Sequence, residues 1–197
     1  MPPHASTTAS TTASTTDPHA RGGYPGRDGA HSAAACDRLF PDAELVPLPS
    51  FHAVVEATAS GDVAFGVLPI ESSLAGPVAE THDLLYGSPL AITAETAIPI
   101  RHCLVGVADV PREEIKTVRS HPVALDQCRR LLAEMPWATA IAAPTTGDAA
   151  AQVAAHGDPA EAAIASERAA ALNGLHVLET DVGDHPEAYT RFVAVGT

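Results

Sequence analysis

The hydrophobic positions of this chain fall in short runs separated by glycine, proline and small polar residues. The most apolar run, Ala64-Phe65-Gly66-Val67-Leu68, reads as a buried strand of the kind that lies centrally in a parallel sheet. The strand is expected over 64–70, with Pro69 stopping the ladder because it has no N–H to give. Gly76-Pro77 then opens a helical pattern over 78–86 that stops at Gly87. The same punctuation predicts a helix over 33–40 capped by Ser32 and closed by Pro41, a strand over 44–47, and a helix over 51–59 between Ser50 and Gly61. A loosely alternating strand over 90–100 crosses into a second unit, followed by strands at 102–107 and 115–119. Ser120-His121-Pro122 introduces a helix over 123–134, with Leu125, Cys128, Leu132 and Met135 on its core-facing stripe. The remaining elements are a strand at 138–143, a helix at 149–155 opened by Thr145-Thr146-Gly147-Asp148, a strand at 160–165, and a helix at 166–172 closed by Asn173-Gly174. Strands at 176–179 and 191–195 complete the chain. Short strands alternating with short helices predict an α/β class with largely parallel pairing.

Composition narrows the partners. The chain has 197 residues, enough for one or two small domains with a real core. Its apolar fraction is 46%, but aromatics make up only 4%, so the core is built from small aliphatic side chains. With 24 acidic residues against 11 Lys and Arg, the net charge of −13 argues against nucleic acid and against an anionic membrane surface. It does not forbid an anionic small molecule, because local dipoles and one or two arginines decide that. Cys36, Cys103 and Cys128 are an odd, widely spaced set, which predicts a reducing compartment and no disulfide framework. The 10 histidines show no metal-ligand spacing, and no apolar run approaches membrane-spanning length. Residues 1–20 are low-complexity Ser, Thr and Ala with no apolar core; they read as a disordered tail and not as a secretory signal, which points to the cytoplasm.

Three stretches carry candidate chemistry. Glu71-Ser72-Ser73 lies between a strand end and a helix start, where open α/β sheets place ligands beside free N–H groups. The stretch 21–32, Arg-Gly-Gly-Tyr-Pro-Gly-Arg-Asp-Gly-Ala-His-Ser, is a glycine-rich turn running into a helix and could cradle an anion. Tyr189-Thr190-Arg191-Phe192 offers a hydroxyl and a fixed cation suited to a carboxylate. Taken one at a time, each is also what an ordinary cap, loop or strand start would show.

The order of the segments is more specific. PIESSLAG, IPIRHCLVG, SHPVALDQC, AAIASERAAALNGLHVL and TRF follow one another at spacings that resemble the prephenate dehydratase family from about Tyr24 to Gly196. The resemblance implies a catalytic unit of two α/β lobes, similar to a type II periplasmic binding protein, with the active site in the inter-lobe cleft. Lobe one is then expected at 21–93 plus 178–197, and lobe two at 94–177. It implies a lyase that removes carbon dioxide and hydroxide from prephenate, or from a close relative such as arogenate or an amino-substituted prephenate. The product would be phenylpyruvate, formed without a cofactor or metal. Thr190 is then the donor to the leaving hydroxyl. Arg191, Phe192, Ser32, Ser72, Ser73, Gly76, Ala30 and His31 are substrate-binding candidates. Glu71 belongs to the same set, but beside a dianion it is better suited to holding the turn.

The chain departs from the family at several of these places. Ser72 stands where the family usually has Asn, and Ala188 stands where it has Asn two places before the TRF Thr. Ala30 and His31 replace a small hydroxyl residue and an aromatic, and polar 19–23 replaces an apolar strand. The regulatory ACT domain that usually follows is not expected, since the sequence stops at Thr197. A changed pocket without that domain suits a specialised metabolic pathway. Two alternatives accompany the dehydratase reading: a decarboxylase that leaves the ring non-aromatic, and a non-catalytic protein that binds a small acid. A homodimer is expected by analogy with the family.

Overall fold

A computed structural model describes residues 20–197; 1–19, most of the expected tail, lie outside the described residues. Ala20, placed in that tail by the sequence reading, is buried, and its carbonyl accepts the Glu44 N–H at 3.1 Å. The described chain forms two compact units, each built from separate stretches of sequence. The first holds the chain up to Pro25, Ala35–Ile98 and Thr190–Thr197; the second holds Gly26–Ala34 and Pro99–Tyr189. These units part at 98/99 and 189/190, where the sequence reading set 93/94 and 177/178, and Gly26–Ala34, expected in lobe one, goes with the second unit. The first shifts because the edge strand runs on to Pro99, and the second because 180–189 is tied by hydrogen bonds to the second unit.

The first unit is a six-stranded sheet. Its strands are β1 (Arg21–Pro25), β2 (Glu44–Leu48), β3 (Phe65–Ser72), the two-residue β4 (Gly76–Pro77), β5 (Ala91–Pro99) and β11 (Tyr189–Gly196). They run in the order β2-β1-β3-β11-β5, with β4 paired to β3. The helices α2 (Phe51–Ser60) and α3 (Ala79–Tyr86) pack on β3, burying Val54 and Val55 against Leu68, Val193 and Val195. Local chemistry sets α2: the Ser50 hydroxyl accepts the Ala53 N–H at 3.1 Å, and Gly61 ends the helix at φ +82°.

Three expectations change here. Residues 21–23 of the polar-looking stretch belong to β1, a strand inside the sheet whose last four residues are buried. Its two glycines lower the apparent hydropathy, but both are covered: a Cβ on Gly22 would meet the Phe65 ring at 2.2 Å, and one on Gly23 would meet Leu48 at 3.0 Å and Val63 at 3.3 Å. The strand expected to end near Pro69 continues to Ser72. A bulge leaves Ile70 without an opposite residue, and Pro69 sits beside it, a position that tolerates a missing N–H. The bulged carbonyls find other donors: Ile70 accepts from the Val78 N–H at 2.9 Å, and Pro69 from the Thr81 hydroxyl at 2.7 Å. Gly76-Pro77 pairs as β4 and does not open a helix; α3 begins at Ala79.

The second unit contains β6 (Cys103–Gly106), β7 (Thr117–Ser120), β8 (Thr139–Ala142), β9 (Glu161–Ala165) and β10 (His176–Glu179), in the order β10-β6-β9-β7-β8. Its central strands are covered on both faces, which is why their sequences are apolar without alternation. Cys103, Val105, Ala163 and Ala165 face α6 (Thr146–His156) and α7 (Glu167–Leu172). Leu104, Ala162 and Ile164 face α4 (Pro122–Asp126) and α5 (Arg129–Ala133), where Cys128, Leu131 and Met135 are buried. The predicted helix 123–134 is thus two helices. Asp184 makes the break, accepting the Arg129 and Arg130 N–H groups at 2.9 and 3.1 Å, while its own N–H bonds the Gln127 carbonyl at 2.7 Å. All three cysteines are free and buried.

Pairing is mixed, not largely parallel. β1–β2, β1–β3, β7–β8 and β7–β9 are parallel, whereas β3–β11, β3–β4, β6–β9 and β6–β10 are antiparallel. Helix crossovers favour parallel neighbours, whereas β11 follows β10 with no helix between and is free to run the other way. Among the described residues no helix is long and apolar enough to cross a membrane.

Candidate active site

The β3–β11 register sorts the Glu71-Ser72 and Thr190-Arg191 pairs into two faces. Thr190 lies opposite Ser72, and Arg191 lies opposite Glu71. Adjacent strand residues point to opposite faces, so Thr190 and Ser72 share one face, and Arg191 and Glu71 share the other. On the second face the arginine is already engaged. One guanidinium nitrogen donates to Glu71 Oε2 at 2.6 Å and the other to Glu95 Oε2 at 2.9 Å. Glu95 first, then Glu71, raises the Arg191 pKa. Glu71 is thus engaged across the β3–β11 pair. Phe192 is 2% exposed and belongs to the core, not to an open surface.

On the first face, the Ser72 hydroxyl closes the turn that follows it, accepting the Leu74 and Ala75 N–H groups at 3.3 Å each. Its own hydrogen stays available for donation. Ser73 is exposed, and Gly76 adopts φ +77°, which lets the chain reverse into β4. Thr190 is half-buried, and its hydroxyl has no hydrogen-bond partner among the described residues. A hydroxyl held by a strand and left unspent can donate to a departing oxygen.

Ala30, His31 and Ser32 lie in the second unit, on the glycine-rich turn and the start of α1 (His31–Leu39). The helix begins at His31, so Ser32 sits inside its first turn and does not cap it. Gly26 and Gly29, at φ +103° and +90°, shape the turn. It is tied down by the Ala30 N–H on the Arg27 carbonyl at 3.0 Å, Arg27 on Asp148 at 2.6 Å, and the Ser166 hydroxyl on the Gly29 carbonyl at 3.0 Å. Ser32 is buried.

His31 meets a residue that sequence reasoning missed. Its ring lies edge-on to His102, centroids 6.4 Å apart at 71°. His102 is 4% exposed, and its Nε2 is 2.8 Å from Gln127 Oε1. Burial first, then the neighbouring His102, lowers the His31 pKa to about 4; burial also lowers that of His102, against the Gln127 bond. The available signal was a lone histidine inside the apolar run 100–107. Among the described residues no three His, Cys, Asp or Glu side chains are grouped to hold a metal ion.

A family model described as prephenate dehydratase matches residues 23–197. The curated protein "Arogenate dehydratase/prephenate dehydratase 1, chloroplastic" of Arabidopsis thaliana is 40% identical over 177 residues, covering 90% of this chain and 45% of its own length. Among solved structures, the prephenate dehydratase from Arthrobacter aurescens in complex with L-Phe superposes with a TM-score of 0.82 at 32% identity, over 89% of this chain and 59% of that one. A structure described as GqqA, a novel type of quorum quenching acylase, does so with a TM-score of 0.80 at 32% identity, over 89% and 63%. The chain spans about half the length, or less, of the curated relatives it matches.

Proposed function

Because this chain belongs to the prephenate dehydratase family, we propose that it converts prephenate, or its amino analogue arogenate, to the aromatic acid. In the reaction the ring carboxylate leaves as carbon dioxide, and its bonding pair moves into the ring. The C4–O bond breaks, and the departing hydroxide takes up one proton and leaves as water. Aromatisation drives the step, so the protein mainly has to orient a dianion and assist the departing oxygen. Thr190 donates the hydrogen bond to that oxygen. Ser72, Ser73 and the backbone N–H groups around Gly76 hold a carboxylate, with Ala30, His31 and Ser32 as further binding candidates. Arg191, engaged by Glu71 and Glu95, sets the strand that presents Thr190 and does not itself grip substrate. The observation that carries this reading is the ladder pairing that sets Thr190 opposite Ser72 on one face of the sheet.

The reading makes the protein a carbon–oxygen lyase of aromatic amino acid biosynthesis, and a cytoplasmic homodimer goes with it. The test is to incubate the protein with prephenate and with arogenate and to identify products by NMR. Phenylpyruvate or phenylalanine supports the reading, and a non-aromatic dihydro keto acid replaces it with decarboxylation alone. Thr190→Ala should lose at least about 100-fold in kcat with KM within about threefold. Undiminished turnover removes Thr190 from the mechanism.

A further inference from the structure

Two imidazoles, His31 half-buried and His102 buried, meet in the second unit, and each has a buried ring nitrogen with no hydrogen-bond partner: His31 Nε2 and His102 Nδ1. Buried polar atoms usually find partners, so two in contact call for an explanation. His102 is fixed from three sides. Gln127 Oε1 accepts from its Nε2, an arrangement that assigns the hydrogen to Nε2 and the lone pair to Nδ1. Its carbonyl accepts the Val182 N–H at 2.9 Å. Gly183 lies against the ring, where a Cβ would come within 3.6 Å of Cδ2. His31, in contrast, sits at the first residue of α1, where the positive end of the helix disfavours a second positive charge.

Most charged groups on the segments next to the couple are engaged with other partners. On the turn, Arg27 is paired with Asp148, and Asp28 has a partner of its own. On the segment 180–185, Asp181 is paired with Arg101, and Asp184 is bound to the N–H groups of α5. Glu167 on α7 raises the Cys103 pKa but has no ion pair or hydrogen bond to either ring, and Gln127 and the Cys128 thiol, from the α4–α5 junction, bring no anion. A proton on either ring would therefore add a buried cation with no acceptor.

We propose that His102 is a positioning residue for the glycine-rich turn: held by Gln127, it buttresses His31 edge-on, and the couple keeps the start of α1 in place only while both rings are uncharged. The functional half of this inference rests on the dehydratase reading, because Ser32 and the turn are binding candidates only within it. The consequence for pH has a definite sign. Well above pH 6.5 both rings are neutral in the folded and the unfolded chain. Between pH 6.5 and about 4 the unfolded chain binds protons that the folded chain refuses at His31, so stability is lost as pH falls through that window.

The experiment uses the full chain in two arms. In the first, thermal unfolding is followed from pH 7.5 to 4.5 for the wild type, His31→Phe and His102→Gln. The wild-type midpoint should fall by about 5 °C or more. Each variant, lacking one chargeable ring, should lose at least half of that fall, and a wild-type midpoint that stays level overturns the proposal. In the second arm, kcat and KM for prephenate are measured at pH 7.5 for His102→Leu, Gln127→Leu and His102→Gln. The two leucine variants should raise KM about tenfold with kcat within about threefold, and His102→Gln, which keeps a donor for Gln127, should restore KM. Unchanged KM in both leucine variants overturns the positioning role. Should the wild type turn over no prephenate, the dehydratase reading fails, and the melting arm still decides the charge-sensitive turn.

Discussion

Replacing Gly29 by alanine separates two reasons for a glycine in the turn before α1. The first is backbone conformation. Gly29 has φ +90°, a region that costs an L-residue about 1–2 kcal/mol. The second is space. A Cβ there would stand 2.9 Å from Ala169 Cα, 3.1 Å from Ala169 Cβ and 3.3 Å from Ala169 N, in the first turn of α7. Two of those atoms are backbone and cannot swing aside. The Ser166 hydroxyl that caps α7 also bonds the Gly29 carbonyl, so a shift of the turn disturbs the helix start as well. Overpacking of this kind costs about 1–3 kcal/mol beyond the dihedral strain. Gly26 is the control: it has φ +103°, but the nearest atom to its added Cβ is the Ala30 Cβ at an ordinary 3.5 Å. Gly26→Ala should therefore lose about 1–2 kcal/mol and Gly29→Ala about 2–5 kcal/mol. Urea unfolding followed by the fluorescence of Trp137, the single tryptophan and itself in the second unit, reads both. With a slope of about 2 kcal/mol/M, the midpoint should fall by about 0.5–1 M for Gly26→Ala and about 1–2.5 M for Gly29→Ala. Equal falls would refute the claim that contact with α7, and not the dihedral alone, requires glycine at position 29.

Asp184→Ala should lower stability by about 1–2 kcal/mol, because two N–H groups of α5 lose their acceptor; Asp184→Asn, which keeps one oxygen, should lose less than half of that in the same urea titration. Arg191→Met should lower stability by no more than about 1 kcal/mol, since the ion pairs with Glu71 and Glu95 are largely solvent-exposed. If that variant instead raises KM for prephenate about tenfold at unchanged stability, Arg191 grips substrate and its assignment to the sheet is wrong.

Much of the chain's local order is written in its sequence. Ser50 and Gly61, Thr145 and Gly157, and Ser166 and Gly174 bound their helices through hydrogen bonds and dihedrals that involve only near neighbours, so residue type is enough. The apolar strands β6 and β9 and the buried positions Cys128 and Met135 follow from hydropathy alone. The residues of the candidate site are also legible one at a time: Glu71, Ser72, Thr190 and Arg191 all stand out by type and by order along the chain.

What the sequence could not determine depends on partners far away in it. β1 is a strand because Phe65, from β3, covers Gly22, and Leu48 and Val63 cover Gly23. β3 runs past Pro69 because a bulge against β11 absorbs the missing N–H. One helix became two because Asp184, more than fifty residues on, offered a better acceptor than the next turn. The same holds for the site. Register, set about 120 residues apart, commits Arg191 to Glu71 and leaves Thr190 facing Ser72. His31 and His102 become a coupled pair only through packing. Helix ends are decided by interactions within a turn of chain, which propensity captures; pairing, bulges and buried charge depend on which segments meet, and only the tertiary structure brings them together.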